Sequence, residues 1–556
     1  MSTEWILKKV SGFRRFPGPV VLAVMDGVGL GRGDESDAVA AARTPNLSGL
    51  RRDGLHVAAL AHGKAVGMPS DADMGNSEVG HNAMGAGRIF AQGASLVNQA
   101  IEDGTLFSGE TWRWLTRPCV EEKGTLHFIG LLSDGNVHSH QAHLEALLEQ
   151  AAREGVRSVR VHILLDGRDV PETSAHLYVE KLERTLRSIN EATGFDYRIA
   201  SGGGRMTITM DRYGADWAMV ARGWDIHVHG KGRRFSSAME ALRILRQEAE
   251  GVIDQYLPGF VIARDGKPVG PIRDGDSVVF FNFRGDRAIE LTQAFEEDDF
   301  THFDRSPRPK VRFAGMMQYD GDLKLPSHYL VSPPAIDRTI SEYLVHNGVR
   351  QYAISETQKF GHVTYFWNGN RSGKFDASLE TYCEIPSDPF PFEERPWMKA
   401  ADITDHVIRA AGAGRYDFIR LNYANGDMVG HTGDFEATVL AVEAVDLCLG
   451  RLRKAVDETG GVLVVTADHG NADEMILRDK NGRLERDEQG HYKARTSHSL
   501  NKVPFIIYSP QRHGFMARTD LEGVGLANYA ATIMNLLGFY APDDYEPSLI
   551  TFDNNA

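Results

Sequence analysis

The chain has 556 residues, 42% hydrophobic and 25% charged, with a formal net charge of −15. That length exceeds one ordinary core and predicts two or more domains, while the acidic balance argues against a nucleic-acid partner, which needs clustered positive charge. No apolar run approaches the roughly 18 residues of a membrane span, and three scattered cysteines, Cys119, Cys383 and Cys448, lack CxxC spacing, so neither a disulfide framework nor a thiolate zinc site is expected and a reducing, cytoplasmic setting is the default.

In chain order, residues 1–19 read as a flexible extension without a signal-peptide pattern. VVLAVMDGVGLGRGD (20–34) predicts a strand running into a glycine-rich turn. It fails the dinucleotide spacing, because Arg32 stands where a third glycine belongs. Asp26 is left at the strand tip. DADMGNSEVGHNAMGAG (71–87) sets Ser77 in a tight turn, where it reads as a helix cap, a phosphate-cradling residue or a nucleophile. No P-loop pattern G-x-x-x-x-G-K-[ST] occurs, which disfavours a nucleotide cradle. Apolar runs of strand length follow at TLHFIGLLSDG (125–135), SVRVHILLDG (158–167), SVVFFNFRGD (277–286), YDFIRLNYANGD (416–427) and GVLVVTADHG (461–470). Helix-like stretches such as 143–155 and 437–458 lie between them. The alternation predicts an α/β fold with mostly parallel sheets. The polar stretch 478–495 predicts an exposed hairpin or loop.

In such sheets ligands gather at the carboxyl ends of strands, and here those ends sort by chemistry. The outer parts of the chain supply Asp26, Asp427, His431, Asp468, His469 and His498; the middle supplies Arg168, Arg205, Arg212, Arg284 and Arg287. This distribution predicts a metal-binding domain built from both chain ends with an anion-binding domain inserted between them. Asp427 and His431, four apart, share a helical face. Three carboxylates and three histidines suit Mn²⁺, Zn²⁺ or Co²⁺ better than Mg²⁺. Six ligands fit two ions, the arrangement that stabilises both oxygens in phosphoryl transfer. Metal coordination would also activate the Ser77 hydroxyl, a poor nucleophile on its own. In the middle segment, forked guanidiniums bind carboxylate and phosphate at two points, and Asp169 or His138 could carry protons.

MDGVG, DADMGNSEVGHNAMGAGR, LLSDGNVHSH, LDGRDVP, GGGRMTITMDRY, NFRGDR, SETQKFGHVTYFWNG, NGDMVGHTG, TADHGNADEM and TSHS occur in that order. Together they closely resemble the cofactor-independent phosphoglycerate mutases of the alkaline phosphatase superfamily, over nearly all of the chain beyond about residue 18. SGGGRMTITMDRY and FWNGNRSGK resemble the plant and trypanosomatid branch.

The resemblance implies an alkaline-phosphatase-like metal-binding domain from 1–90 and 321–556, with 91–320 inserted as a substrate-binding phosphotransferase domain. It implies interconversion of 3-phosphoglycerate and 2-phosphoglycerate in glycolysis and gluconeogenesis, by a monomer that needs no 2,3-bisphosphoglycerate. Two divalent ions per chain are implied, Mn²⁺ first, with Co²⁺ or Mg²⁺ as alternatives. Asp26, Ser77, Asp468 and His469 would hold one and Asp427, His431 and His498 the other. Ser77 would take the phosphoryl group, neutralised in part by Lys359. His138, Arg168, Asp169, Arg205, Arg212, Arg284 and Arg287 would grip the glycerate, with Asp169 shuttling the proton between O2 and O3. Asn136 stands where many members carry glycine, a position asparagine can fill at positive φ. The nearest rival reading is a metal-dependent phosphatase or another phosphomutase of that superfamily; a catalytically silent binding protein is the rival from another class.

Overall fold

The computed structural model describes the chain except residues 1–4, 69–70, 212–215, 250, 286, 320–323, 333, 335, 480, 488, 512–514 and 553–556. Contacts divide it into two units, Met1–Gln92 with Ala335–Ala556, and Gly93–Pro334. The chain opens the first unit with strands β1 (Val20–Met25) and β2 (Leu55–Ala59). It then builds the second from β3 (Leu126–Leu132), β4 (Ser158–Leu165), β5 (Asp196–Gly204), β6 (Arg233–Phe235), β7 (Phe260–Arg264), β8 (Lys267–Pro268), β9 (Ser277–Phe280) and β10 (Arg312–Gly315). It returns to the first with β11 (Gln351–Glu356), β12 (Glu380–Ile385), β13 (Phe418–Tyr423), β14 (Val462–Thr466) and β15 (Val503–Tyr508).

The first unit's sheet has the order β12-β11-β13-β1-β14-β15-β2, parallel from β12 to β14 and antiparallel at β15 and β2. Its central strand reads VVLAVM, and all six residues are buried. A strand covered on both faces needs a continuous apolar run rather than an alternation. The second unit's sheet runs β10-β9-β3-β4-β5-β7-β6, parallel from β10 to β5, with β7 antiparallel to β5 and β8 pairing β7. Alternate residues of β3 and β4 enter two separate cores. Phe128, Val161 and Ile163 pack on one side, and Ile129, Leu131 and Leu164 on the other. Leu330 and Val331 also pack into the second unit. Both sheets are thus α/β layers of mostly parallel strands.

Residues 5–19, expected to be a flexible extension, are instead packed. Leu7, Val10 and Phe16 are buried, Trp5 stacks on His346 at 4.9 Å, and Lys9 bridges Phe539. Four apolar side chains scattered through a basic segment make no periodic pattern, yet each finds its own place in the first unit. The stretch 478–495 forms a largely exposed hairpin-like ladder, with bridges Arg478–Leu484 and Arg486–Tyr492. No helix among the described residues is long and apolar enough to cross a membrane.

Candidate active site

In the first unit, three adjacent parallel strands deliver the acids. Asp26 follows β1 directly, Asp427 lies in the helix Asn425–Gly430 just after β13, and Asp468 and His469 follow β14. Gly27 has φ 73°, and a Cβ there would stand 2.6 Å from the Asp427 backbone nitrogen. Only glycine lets the β1 turn lie against that helix. Ser77 is the first residue of the helix Ser77–Ala86, whose N-cap Asn76 accepts a hydrogen bond from Val79 N. Its hydroxyl therefore sits at the positive end of a ten-residue helix.

These groups converge. Lys359 Nζ donates to Ser77 Oγ at 2.6 Å, Asp427 Oδ2 at 2.8 Å and Asp26 Oδ1 at 2.9 Å. Ser77 Oγ lies 3.1 Å from Asp26 Oδ1 and 2.9 Å from His469 Nε2. His431 Nε2 and His498 Nε2 each approach Asp427 Oδ1 to 3.2 Å. Ligand atoms of Asp26, Asp468 and His469 form one tight triad, and those of Asp427, His469 and His498 another, each within 4.8 Å. His469 is common to both.

The chemistry of this set fits divalent cations. Three buried carboxylates, Asp26, Asp427 and Asp468, face one ammonium. Uncompensated charge in such surroundings is costly. Burial alone would lower the Lys359 pKa, but Asp26, Asp427 and Asp468 hold it well above the ordinary value. Burial also opposes ionisation of Asp26 and Asp427, and the Lys359 charge overrides it, keeping both carboxyls low. At Asp468 the His469 and Lys359 charges do not overcome burial. Burial and then the Asp26 charge push it up, and its Oδ2 has no hydrogen-bond partner among the described residues.

The histidines give a second sign. His431 Nδ1 and His498 Nδ1 lie 2.6 and 2.7 Å from the carbonyls of Thr496 and Gly75, so both carry their proton on Nδ1. Burial, then the His469 charge, pushes His498 down to about 3, so its ring is neutral. His498 Nε2 lies 3.1 Å from His431 Nε2, and both lie 3.2 Å from Asp427 Oδ1, so three potential ligand atoms are gathered where one cation could take them.

In the second unit the anion-binding candidates follow the tips of β3, β4, β5 and β9. His138 is buried, and its carbonyl accepts from Phe283 N at 2.8 Å, tying the β3 loop to the arginine loop after β9. Asn136 has φ 59°, as its place in that loop requires. Asp166, at the tip of β4, accepts from Ser133 Oγ at 2.6 Å and from the amides of Arg168 and Asp169 at 3.1 and 3.0 Å. Arg205 is 1% exposed and donates from Nη1 to Asp166 at 2.9 Å and to Asp169. It thereby fixes the Asp169 carboxylate. Arg168 is exposed, Arg284 half-buried, and Arg287 buried with Nη1 donating to Met210 O at 2.7 Å. Arg212 lies outside the described residues.

The profile of the Metalloenzyme superfamily matches residues 18–541. The 2,3-bisphosphoglycerate-independent phosphoglycerate mutase of Trypanosoma brucei brucei is 55% identical over 534 residues, covering 96% of this chain and 97% of the relative. Mutase 1 of Arabidopsis thaliana is 53% identical, with 96% of each chain covered. A crystal structure of Leishmania mexicana phosphoglycerate mutase at low cobalt concentration superposes with a TM-score of 0.85 at 52% identity, over 99% of this chain and 100% of the other.

The chain belongs to the 2,3-bisphosphoglycerate-independent phosphoglycerate mutases.

Several groups that shape this mutase site are not singled out by its sequence. Asn422 Nδ2 donates to Asp26 Oδ2 at 2.7 Å and Asn471 Nδ2 to Asp427 Oδ1 at 3.1 Å, so each orients a carboxylate. Asp473 accepts from Gly29 N, Ser499 Oγ and Asn501 Nδ2, fastening the loops on either side of β14. His81 lies one turn below Ser77, with Nδ1 2.8 Å from Ser77 O and 3.4 Å from Asp468. The signal available was position: each asparagine is within five residues of a ligand in the same motif.

Proposed function

We propose that this protein interconverts 3-phosphoglycerate and 2-phosphoglycerate through a phosphoserine at Ser77, without 2,3-bisphosphoglycerate. One observation carries the reading: the Ser77 hydroxyl is held by Lys359, Asp26 and His469 at a helix N-terminus, within a buried cluster of carboxylates and imidazoles. A surface serine needs none of these partners.

Two divalent cations, Mn²⁺ first with Co²⁺ or Mg²⁺ as alternatives, held by Asp26, Asp468 and His469 with Ser77 and by Asp427, His431 and His498, would lower the pKa of the serine hydroxyl and offset phosphoryl charge. The protein's own groups do the rest. Ser77 Oγ bonds to phosphorus as the P–O3 bond breaks. Lys359 and the helix N-terminus offset the three phosphoryl oxygens. The glycerate, gripped through its carboxylate by guanidiniums of Arg168, Arg284 and Arg287, turns and presents O2. O2 then bonds to phosphorus as the Oγ–P bond breaks. Proton balance requires one proton delivered to O3 and one removed from O2, and Asp169, steadied by Arg205, carries it. His138 lies on the β3 loop beside this set. Arg212 is assigned to the same grip on sequence grounds. The first unit is thus the phosphoryl carrier and the second the glycerate holder, acting as a monomer on a small-molecule substrate.

Chelator-stripped protein, refilled with each metal in turn and assayed for 2-phosphoglycerate without 2,3-bisphosphoglycerate, tests this reading. Mutase activity should vanish on stripping and return with Mn²⁺ or Co²⁺. Release of free phosphate in place of 2-phosphoglycerate would make the protein a phosphatase.

A further inference from the structure

Six buried polar residues that the phosphoryl transfer does not use form one continuous hydrogen-bonded chain through the second unit. Asp276 Oδ2 lies 3.2 Å from His127 Nε2, and His127 Nδ1 lies 3.0 Å from His162 Nε2. His162 Nδ1 lies 2.7 Å from Ser201 Oγ, Ser201 Oγ 2.8 Å from His227 Nδ1, and His227 Nε2 3.0 Å from Thr209 Oγ1. Asp276 is 7% exposed and the other five at most 1%.

The chain crosses β3, β4 and β5 at right angles, one residue from each strand. Its continuity depends on a register shift between Val161 and His162, after which His162 pairs with Ser201 in place of Ala200. A bulge of this kind re-aims a side chain, and here it brings the Ser201 hydroxyl onto the imidazole.

The direction of every bond follows from one end. Burial would raise the Asp276 carboxyl pKa, but the bond from His127 and the amides of Thr125 and Arg273 hold it below the ordinary value, so it is ionised and only accepts. His127 must donate from Nε2. Burial lowers the pKa of His127, His162 and His227, the last to about 3, so each is neutral with one donor and one acceptor. His127 Nδ1 then accepts from His162 Nε2, and His162 Nδ1 accepts from the Ser201 hydroxyl. Ser201 accepts from His227 Nδ1, and His227 Nε2 accepts from the Thr209 hydroxyl.

The far end of the chain is a strained turn. Thr209 has φ 71°, an outlier for a β-branched residue. Its amide donates to Met219 O at 3.0 Å, and its hydroxyl passes so close to Gly223 that a Cβ there would be 2.1 Å away. Gly223 and His227, four apart on the helix Trp217–His227, together frame that hydroxyl. The next carbonyl, Met210 O, receives Arg287 Nη1 at 2.7 Å.

We propose that the Asp276–His127–His162–Ser201–His227–Thr209 chain is a positioning device for Arg287. The buried carboxylate fixes three tautomers in series, holds the Thr209 hydroxyl as a donor, and so keeps the Met210 carbonyl on the guanidinium. That Arg287 grips phosphoglycerate rests on the mutase reading; the tautomers do not.

Imidazole ¹⁵N–¹H correlation spectra of the full-length protein at neutral pH test the chain directly. His127 and His162 should appear protonated at Nε2 and His227 at Nδ1, assigned through His127→Gln, His162→Gln and His227→Gln. Any of the three in the other tautomer, or cationic, overturns the chain. Thr209→Val keeps the shape but cannot donate, leaving an unmet acceptor, so KM for 3-phosphoglycerate should rise about tenfold with kcat within about twofold. Thr209→Ser should restore KM. Unchanged KM with a lower melting temperature would reduce the chain to a structural strut and overturn the positioning role. Should the wild-type protein lack mutase activity, the spectra still decide the tautomers. Backbone hydrogen exchange over Ile208–Asp211, expected faster in Thr209→Val, then decides the positioning, and equal exchange refutes it.

Discussion

In the first unit the tips of β1, β13 and β14 carry carboxylates and imidazoles, while in the second the tips of β4, β5 and β9 carry mainly guanidiniums. Both are α/β sheets of mostly parallel strands, so the contrast comes from side chains at equivalent places. The first unit's groups lean on one another: a single ammonium, Lys359, touches Ser77, Asp26 and Asp427 at 2.6 to 2.9 Å. The second unit spends Arg205 on Asp166 and Asp169 and anchors Arg287 on a carbonyl. On the proposed function, one fold serves as a cation holder in the first unit and an anion holder in the second, according to what its turns present.

The largest break in this comparison is removal of the carrier hydroxyl. Ser77→Ala should lower mutase turnover by at least ~10³-fold, measured by the coupled 2-phosphoglycerate assay; turnover near wild type would refute the role of Ser77. Next is the ammonium. Lys359→Gln leaves Asp26 and Asp427 without their common partner, and kcat should fall about 10²- to 10³-fold, as when one preorganised donor is lost. The same variant should need more metal to reach its full melting temperature, since added cations must then replace the charge that Lys359 supplied to Asp26 and Asp427. A smaller effect belongs to the second unit. Arg284→Ala should raise KM by roughly 10- to 100-fold, the loss of one charged contact, with metal content unchanged by elemental analysis. Loss of metal in that variant would contradict the division of labour.

A separate effect, on stability rather than turnover, concerns buried imidazoles of the second unit. Burial pushes His143 and His227 down to about 3. The unfolded chain binds protons there near pH 6.5 and the folded chain does not, so stability is complete above that pH and drains as pH falls toward 3. Each histidine contributes about 1.4 kcal/mol per pH unit in that window. The urea midpoint of the full chain should therefore drop between pH 6.5 and 4.5; a flat profile would contradict neutral burial.

How much of this was legible in the sequence follows from how local each feature is. The apolar runs and the turns that end them are local, so the α/β class and the position of Asp26, Asp427, Asp468 and His469 after strands could be read directly. The family motifs were equally legible, each being a short contiguous stretch. What stayed hidden is tertiary. Nothing in SVRVHILLDG distinguishes His162 from any core residue, because its partners come from β3 and β5. Asp166 reads as a strand-end acid like Asp26, yet its four donors make it a brace for the Asp169 loop. Trp5, Leu7 and Phe16 follow no period, so their docking on the first unit was invisible from pattern alone.

The most direct measurement is acid-quenched mass spectrometry of metal-loaded protein during turnover of 3-phosphoglycerate. The account predicts that the peptide carrying Ser77 gains one phosphoryl group, lost again when product is exhausted. Unmodified Ser77 throughout, in enzyme forming 2-phosphoglycerate at full rate, would contradict it.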